Sequence, residues 1–583
     1  METAAKKARD FVEREKAFRL GELLTESFHP KTRRLSQTIQ TDLPAGIRLL
    51  QSVDEDVAGA LEGIFAQASY GRLVESLLAA MQAGRRIFFT GCGATGRLSI
   101  LLEAAWRRCW RELKAREPEI GRDVADREDA CISVMAGGDF ALIKAVEGFE
   151  DFPDFGRHQL REAGVGAGDV VVAITEGGET PFVIGTAWEG LDVGATVFFV
   201  YNNPTALLRE HVVRSREVIE EPRIHKLDLT TGPMAVAGST RMQATTVELL
   251  VVGAALETAL VRWLGARGGW SERGEREYCA LFANLLGDLS RDACVDAMAR
   301  LVAFEATLYD RGGLVTYATD DMLLDVLTDT TERSPTFMVP PFRRDGDTVS
   351  PVSWAFVKNP HLPSREAWRL MLERAPRGLD WVAGTYEQLR APEALRSHPP
   401  KLDNEELYRF RIGNECDASR TVASDSALVT IEVGAGTGLW QAARERFGAD
   451  YTQTAALTIG PAEERRDGDD RFHFGCALPA SPLRLWEHLA VKVVLNTVST
   501  ATMVRMGRVI GNAMVWVSPS NKKLIDRGTR LIVQQTGCDY EGACVALFEA
   551  MEEVTQRAEQ GQAPPSPVAL AIERIEGLDK ETT

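Results

Sequence analysis

Histidine is scarce, 8 in 583 residues, and none falls in an HxH or HExxH spacing. That leaves no ordinary zinc arrangement, which needs closely spaced imidazoles or thiolates. The 9 cysteines are odd in number and scattered, without a CxxC pair. This argues against a disulfide framework and for buried thiols in a reducing compartment. The charged start METAAKKARDFVEREKAFRL has no apolar h-region and does not read as a secretory signal. The longest apolar stretch, 247–260, is interrupted by Glu248 and Glu257, so no segment is expected to span a bilayer. Positive charge is not in excess: 67 Lys and Arg stand against 84 Asp and Glu, a net charge of −17. An acidic chain disfavours nucleic acid and anionic membrane as partners. These absences together predict a cytoplasmic protein without a metal site.

What is present is the balance of a globular chain, 45% hydrophobic and 26% charged, long enough for two to four domains. Residues 1–80 carry apolar positions at helical spacing, broken at Pro30 and Pro44. From about 85 the pattern alternates. Strands are predicted at 86–90, 131–135, 170–174 and 196–201, with helices at 139–147 and 181–191 between them. A long helix follows at 241–264, and Gly265, Gly268 and Gly269 mark a linker. A second alternating region starts near 275, with strands predicted at 313–317, 354–357, 379–382 and 427–433 and a solvated loop at 461–474. The expected division is a helical region 1–80, a first α/β domain 81–268, a second 275–480 and a helical domain 484–583. Alternating strands and helices imply parallel sheets covered on both faces, with ligands at the carboxyl ends of the strands.

Three turns at helix starts combine glycine with hydroxyls: Gly91–Arg97 (GCGATGR), Thr175–Pro181 (TEGGETP) and Gly238–Met242 (GSTRM). Glycine lets a backbone approach an anion, and a helix N-terminus offers free N–H groups and a positive dipole end. Gly93, Ala94, Thr95 and Gly96 in the first turn, Thr175 and Thr180 in the second, and Ser239 and Thr240 in the third are the candidate ligand contacts. Read alone, the second and third turns are equally well simple helix caps, and the first has the alternative of a purely structural glycine turn. Glu176 and Glu179 count against a phosphate lying directly on the second turn. No acidic residue ends a second strand in the manner a dinucleotide ribose needs, so no cofactor is called for.

These segments resemble, in order, the N-acetylmuramic acid 6-phosphate etherase family of SIS-domain phosphosugar proteins. The resemblance is carried by TESFHPKT at 25–32, FFTGCGATGRLSIL at 88–101, AVEGFED at 145–151, GETPFV at 178–183, GSTRM at 238–242, and VLNTVST through SNKKL within 493–524. About 250 residues separate Met242 from Lys492, where the single-domain etherases run almost directly on. That layout resembles glucokinase regulatory protein, the two-SIS-domain relative. The implied fold is α/β, with two SIS-type doubly wound parallel sheets between helical terminal regions.

The resemblance implies two carboxylates. One falls on Glu147. The other is missing from the first domain, where its position falls near Ala105, but Asp329–Phe337 (DTTERSPTF) in the second domain restores it at Glu332. A fused pair of domains could therefore build one site from both halves. The second domain's own first turn reads Ala318-Thr319-Asp320-Asp321, and two carboxylates at a helix start would repel an anion. Lys492, on one face with Asn496 and Thr500, is implied to reach the sugar phosphate. Two functions stay open: a sugar-phosphate-responsive regulator with a sugar kinase as its partner, or a lyase releasing D-lactate from a 6-phosphosugar ether. A phosphosugar isomerase is a third, less supported reading.

Overall fold

The computed structural model describes residues 3–117, 127–146, 148–421, 425–434, 438–461, 471–559 and 565–582. The first sheet consists of β1 (Ile87–Gly91), β2 (Cys131–Met135), β3 (Val170–Thr175), β4 (Thr196–Tyr201) and β5 (Ile224–Asp228). The second consists of β6 (Val315–Ala318), β7 (Ala355–Lys358), β8 (Ala427–Val433), β9 (Gln453–Gly460) and β10 (Arg471–Gly475). Every pairing is parallel. The orders are β2-β1-β3-β4-β5 and β7-β6-β8-β9-β10. These are one topology twice, and in each the order reverses beside the first strand, where open α/β sheets place their ligands.

Seven helices position the site: α1 (Leu43–Phe65), α2 (Gly93–Arg116), α3 (Pro181–Asp192), α4 (Gln243–Leu264), α5 (Leu323–Phe337), α6 (Leu485–Arg505) and α7 (Lys522–Thr536). The two halves correspond in their sheets and in the helices that begin and close them. β1 leads into α2 as β6 leads into α5, and α4 closes the first half as α6 closes the second. α6 packs on α5, α4 and α1, so the halves meet through a shared helical layer. Strands such as Val170–Thr175 are buried on both faces and accordingly read as unbroken apolar runs.

Several expectations are corrected. Of the helix expected at 139–147, residues 139–146 form only a 3-10 turn, Asp139–Leu142, which Gly137 and Gly138 enter with positive φ; residue 147 lies outside the described residues. Residues 379–382 form no strand; Leu379 makes one isolated bridge to Leu402, and the chain then enters a short helix. The loop expected at 461–474 holds β10, with Phe472 and Phe474 buried between polar neighbours. Pro44 lies in the first turn of α1 and starts the helix, since proline's missing N–H costs nothing there. Residues 243–268 are long and apolar enough to cross a membrane, yet 243–261 are all buried in the protein, with Glu248 and Glu257 held by Asn202 and Ser481. Among the cysteines, Cys416 is exposed.

Candidate functional site

The first turn is shaped by glycines with no room for a side chain. A Cβ on Gly91 would lie 2.5 Å from the Thr95 carbonyl carbon, and one on Gly96 would lie 2.5 Å from Met135 Cγ. Gly93 takes φ +52°. The Thr95 hydroxyl accepts from the Cys92 amide at 3.1 Å and donates to the Cys92 carbonyl at 2.8 Å. Its hydrogen bonds therefore close the turn itself. Gly93 and Ala94 are the partly exposed residues of the turn, at the start of α2, where helical amides have no partner within the helix.

In the second turn Thr175 and Thr180 face each other across the N-terminus of α3, 3.0 Å between hydroxyl oxygens. Glu179 is bound by Lys523 at 2.8 Å and Arg214 at 2.5 Å. Burial would raise its carboxyl, but those two cations outweigh it and hold it at about 2. Glu176 is buried, and burial moves it the other way, up to about 7. In the third turn Ser239 and Thr240 do not cap α4, whose N-cap is Met242. Thr240 instead lies near the Glu176 carboxyl and works against the rise that burial causes there.

Between the halves lies a small cleft. Its lining includes Ala94 and Arg97 from α2, Asp329 and Glu332 from α5, and Lys492 and Asn496 from α6. Glu332 is 4% exposed, and its Oε2 has no hydrogen-bond partner. Lys492 Nζ donates to the Arg241 carbonyl at 2.8 Å and to Asn496 Oδ1 at 3.1 Å. Burial pushes its ammonium below the ordinary lysine range, and nearby Glu332 pulls the other way. The structure thus brings Ala94, Glu332 and Lys492 to one cleft, while Thr175, Thr180, Ser239 and Thr240 are not among its lining residues. Glu147 lies outside the described residues.

Three residues near the cleft were not among the candidate contacts of the sequence reading. Arg97 donates to the carbonyls of Ala141 (3.3 Å) and Leu142 (3.0 Å) and to Thr331 Oγ1 (3.3 Å), tying α2 to α5 beside Glu332. Arg241 donates to Asp329 at 2.8 Å, while its Nε and Nη1, both buried, have no partner. Glu176 is the third. Each sits inside a quoted motif, GCGATGR, GSTRM or TEGGETP, so position was the available signal.

The corresponding place in the second half is closed. Asp321 follows β6 as Ala94 follows β1. Its carboxylate meets Arg108 at 2.5 Å and Arg484 at 2.7 Å and accepts the Met322 amide at 2.9 Å. Arg484 precedes α6 as Arg241 precedes α4. A side-chain carboxylate thus sits where an anion would lie.

A relative from Gloeobacter violaceus named N-acetylmuramic acid 6-phosphate etherase is 31% identical over 240 residues, 41% of this chain and 69% of that protein. The chain belongs to the N-acetylmuramic acid 6-phosphate etherase family. A second etherase of that name, from Aliivibrio fischeri, is 29% identical over 245 residues, 42% of this chain and 71% of its own length. Residues 71–189 match the family described as glucokinase regulatory protein N-terminal SIS domain. Among solved structures, the C-terminal domain of glucosamine-fructose-6-phosphate aminotransferase from Francisella tularensis overlays 80% of this chain and 97% of its own, at a TM-score of 0.43 and 10% identity.

Proposed function

We propose that this etherase-family chain binds a phosphorylated amino sugar in the cleft between its halves and acts as a carbon–oxygen lyase, releasing D-lactate from N-acetylmuramic acid 6-phosphate or a closely related sugar ether. The observation that carries this reading is Glu332: a buried carboxylate with a partnerless oxygen, in the same cleft as Lys492 and Ala94. The elimination needs a base for the C2 proton and an acid for the ether oxygen as the C3–O bond breaks. Glu332 serves one of these roles and Glu147 the other, from opposite halves of the chain. Gly93, Ala94, Thr175, Thr180 and the amides at the starts of α2 and α3 hold the phosphate, with Lys492 and Arg241 as the cations. Asp321 closes the second half's counterpart, leaving one working site per chain.

Incubation of the wild-type chain with N-acetylmuramic acid 6-phosphate, with D-lactate measured enzymatically, tests this. Release that disappears in Glu147→Gln is expected; no release by a folded wild-type chain defeats the lyase reading. A second reading draws on the match of residues 71–189 to the regulatory-protein SIS domain. It is a sugar-phosphate-responsive regulator of a sugar kinase, which would bind the phosphosugar and release nothing.

A further inference from the structure

The second turn carries a carboxyl that a two-glutamate mechanism leaves unused. Glu176 follows Thr175 at the carboxyl end of β3 and is 9% exposed. Its neighbour Glu179 is neutralised by Lys523 and Arg214. Glu176 has no such ion pair among the described residues. The charged and titratable groups around it come from every side: Lys523 of α7, Glu332 of α5, Glu248 of α4, Arg97 of α2 and the Cys92 thiol, with the Thr240 hydroxyl nearby. Of the surrounding carboxylates, Glu332 is itself unpaired at one oxygen, as is Glu248.

A phosphomonoester carries about −1.5 to −2 charges at neutral pH. Brought to the hydroxyls of Thr175 and Thr180, it lies against Glu176. An ionised carboxylate there repels it; a protonated one donates a charge-assisted hydrogen bond. We propose that Glu176 binds the ligand's phosphate in its protonated form, so that phosphosugar binding takes up one proton. This rests on the phosphosugar reading above.

The free carboxyl, raised to about 7 by burial against the pull of Lys523, sets the sign. Below that pH the proton is already in place and affinity is flat in Glu176. Above it, affinity falls by roughly tenfold per pH unit. Calorimetric titration with N-acetylmuramic acid 6-phosphate, and separately with fructose 6-phosphate, at pH 6 and pH 8.5 in buffers of different ionisation heat reads the proton directly. Wild type is expected to take up little at pH 6 and close to one proton at pH 8.5. Glu176→Gln, whose amide donates where the carboxyl O–H did, is expected to exchange only the protons of the ligand's own phosphate, about one fewer than wild type at pH 8.5. It should bind at pH 8.5 about tenfold or more tighter than wild type. The ligand's own phosphate titration is common to both proteins and cancels in their ratio. Binding by wild type without proton uptake, or a Glu176→Gln chain that keeps the wild-type pH slope, overturns this proposal alone. A folded wild type that binds neither sugar at either pH overturns the phosphosugar reading and this with it.

Discussion

Glu332→Gln is expected to lower lactate release by about 10²–10⁴-fold, the contribution typical of a positioned acid or base, while affinity for the phosphosugar stays within about tenfold of wild type. The substitution keeps the shape of the side chain and removes only its capacity to exchange a proton. Little of the fold depends on that carboxylate, because its Oε2 has no partner. The neighbouring buried acid, Asp329, is different: it is bound by Arg241 and Arg333 at 2.8 and 2.9 Å and by Ser499 at 2.8 Å. That contrast on one helix separates a carboxylate available for chemistry from one that holds α4, α5 and α6 together. Lactate release measured at saturating and at low substrate splits kcat from KM, and the loss should fall on kcat.

Glu103→Leu is expected to destabilise the protein by about 3–5 kcal/mol, the cost of removing one partner from a buried charge cluster. Glu103 is wholly buried and meets Arg107 at 2.9 Å, Arg374 at 3.1 Å and Arg377 at 2.8 Å, and it accepts from the Ser133 amide and hydroxyl. Burial would raise its carboxyl, but Arg374, Arg377 and Arg107 outweigh it and hold it at about 2. A lowered folded-state value means stability that is fully present above the unfolded value, 4.5, and lost as pH falls toward 2. The deficit of the variant in thermal unfolding should therefore be largest at neutral pH and shrink through that window. Arg374 and Arg377 belong to the segment between β7 and β8, and they also grip Asp139, at 2.5 Å to its carboxylate and 2.6 Å through the Arg377 amide. The second half thus clamps the loop that leads to Glu147. A Glu103→Leu chain as stable as wild type would show that the clamp contributes nothing.

Much of this architecture was legible in the residues. Cys131–Met135, Thr196–Tyr201 and Ala427–Val433 are strands with the ends their apolar runs predict, because a strand covered on both faces leaves no polar interruption. β5, β9 and β10 were not legible. They lie toward one edge of their sheets and alternate, as in His225-Lys226 within β5 and Arg471 and His473 within β10, so their apolar runs are broken. Glu332 could be found because a segment of nine residues carries it. Arg97 and Arg241 could not be singled out, since their importance lies in what they face across the cleft: α5 for Arg97, and Asp329 for Arg241. Thr95 misled for the converse reason. A threonine in a glycine turn reads as a ligand donor, and only the geometry shows its hydroxyl closing on Cys92.

We propose that two fused halves build one phosphosugar site, one contributing the glycine turns and the other Glu332 and Lys492, while Asp321 closes the counterpart. Titration calorimetry of the full chain with N-acetylmuramic acid 6-phosphate counts the sites directly. One site per chain is the predicted result; two equivalent sites, or no binding by the folded protein, would contradict it.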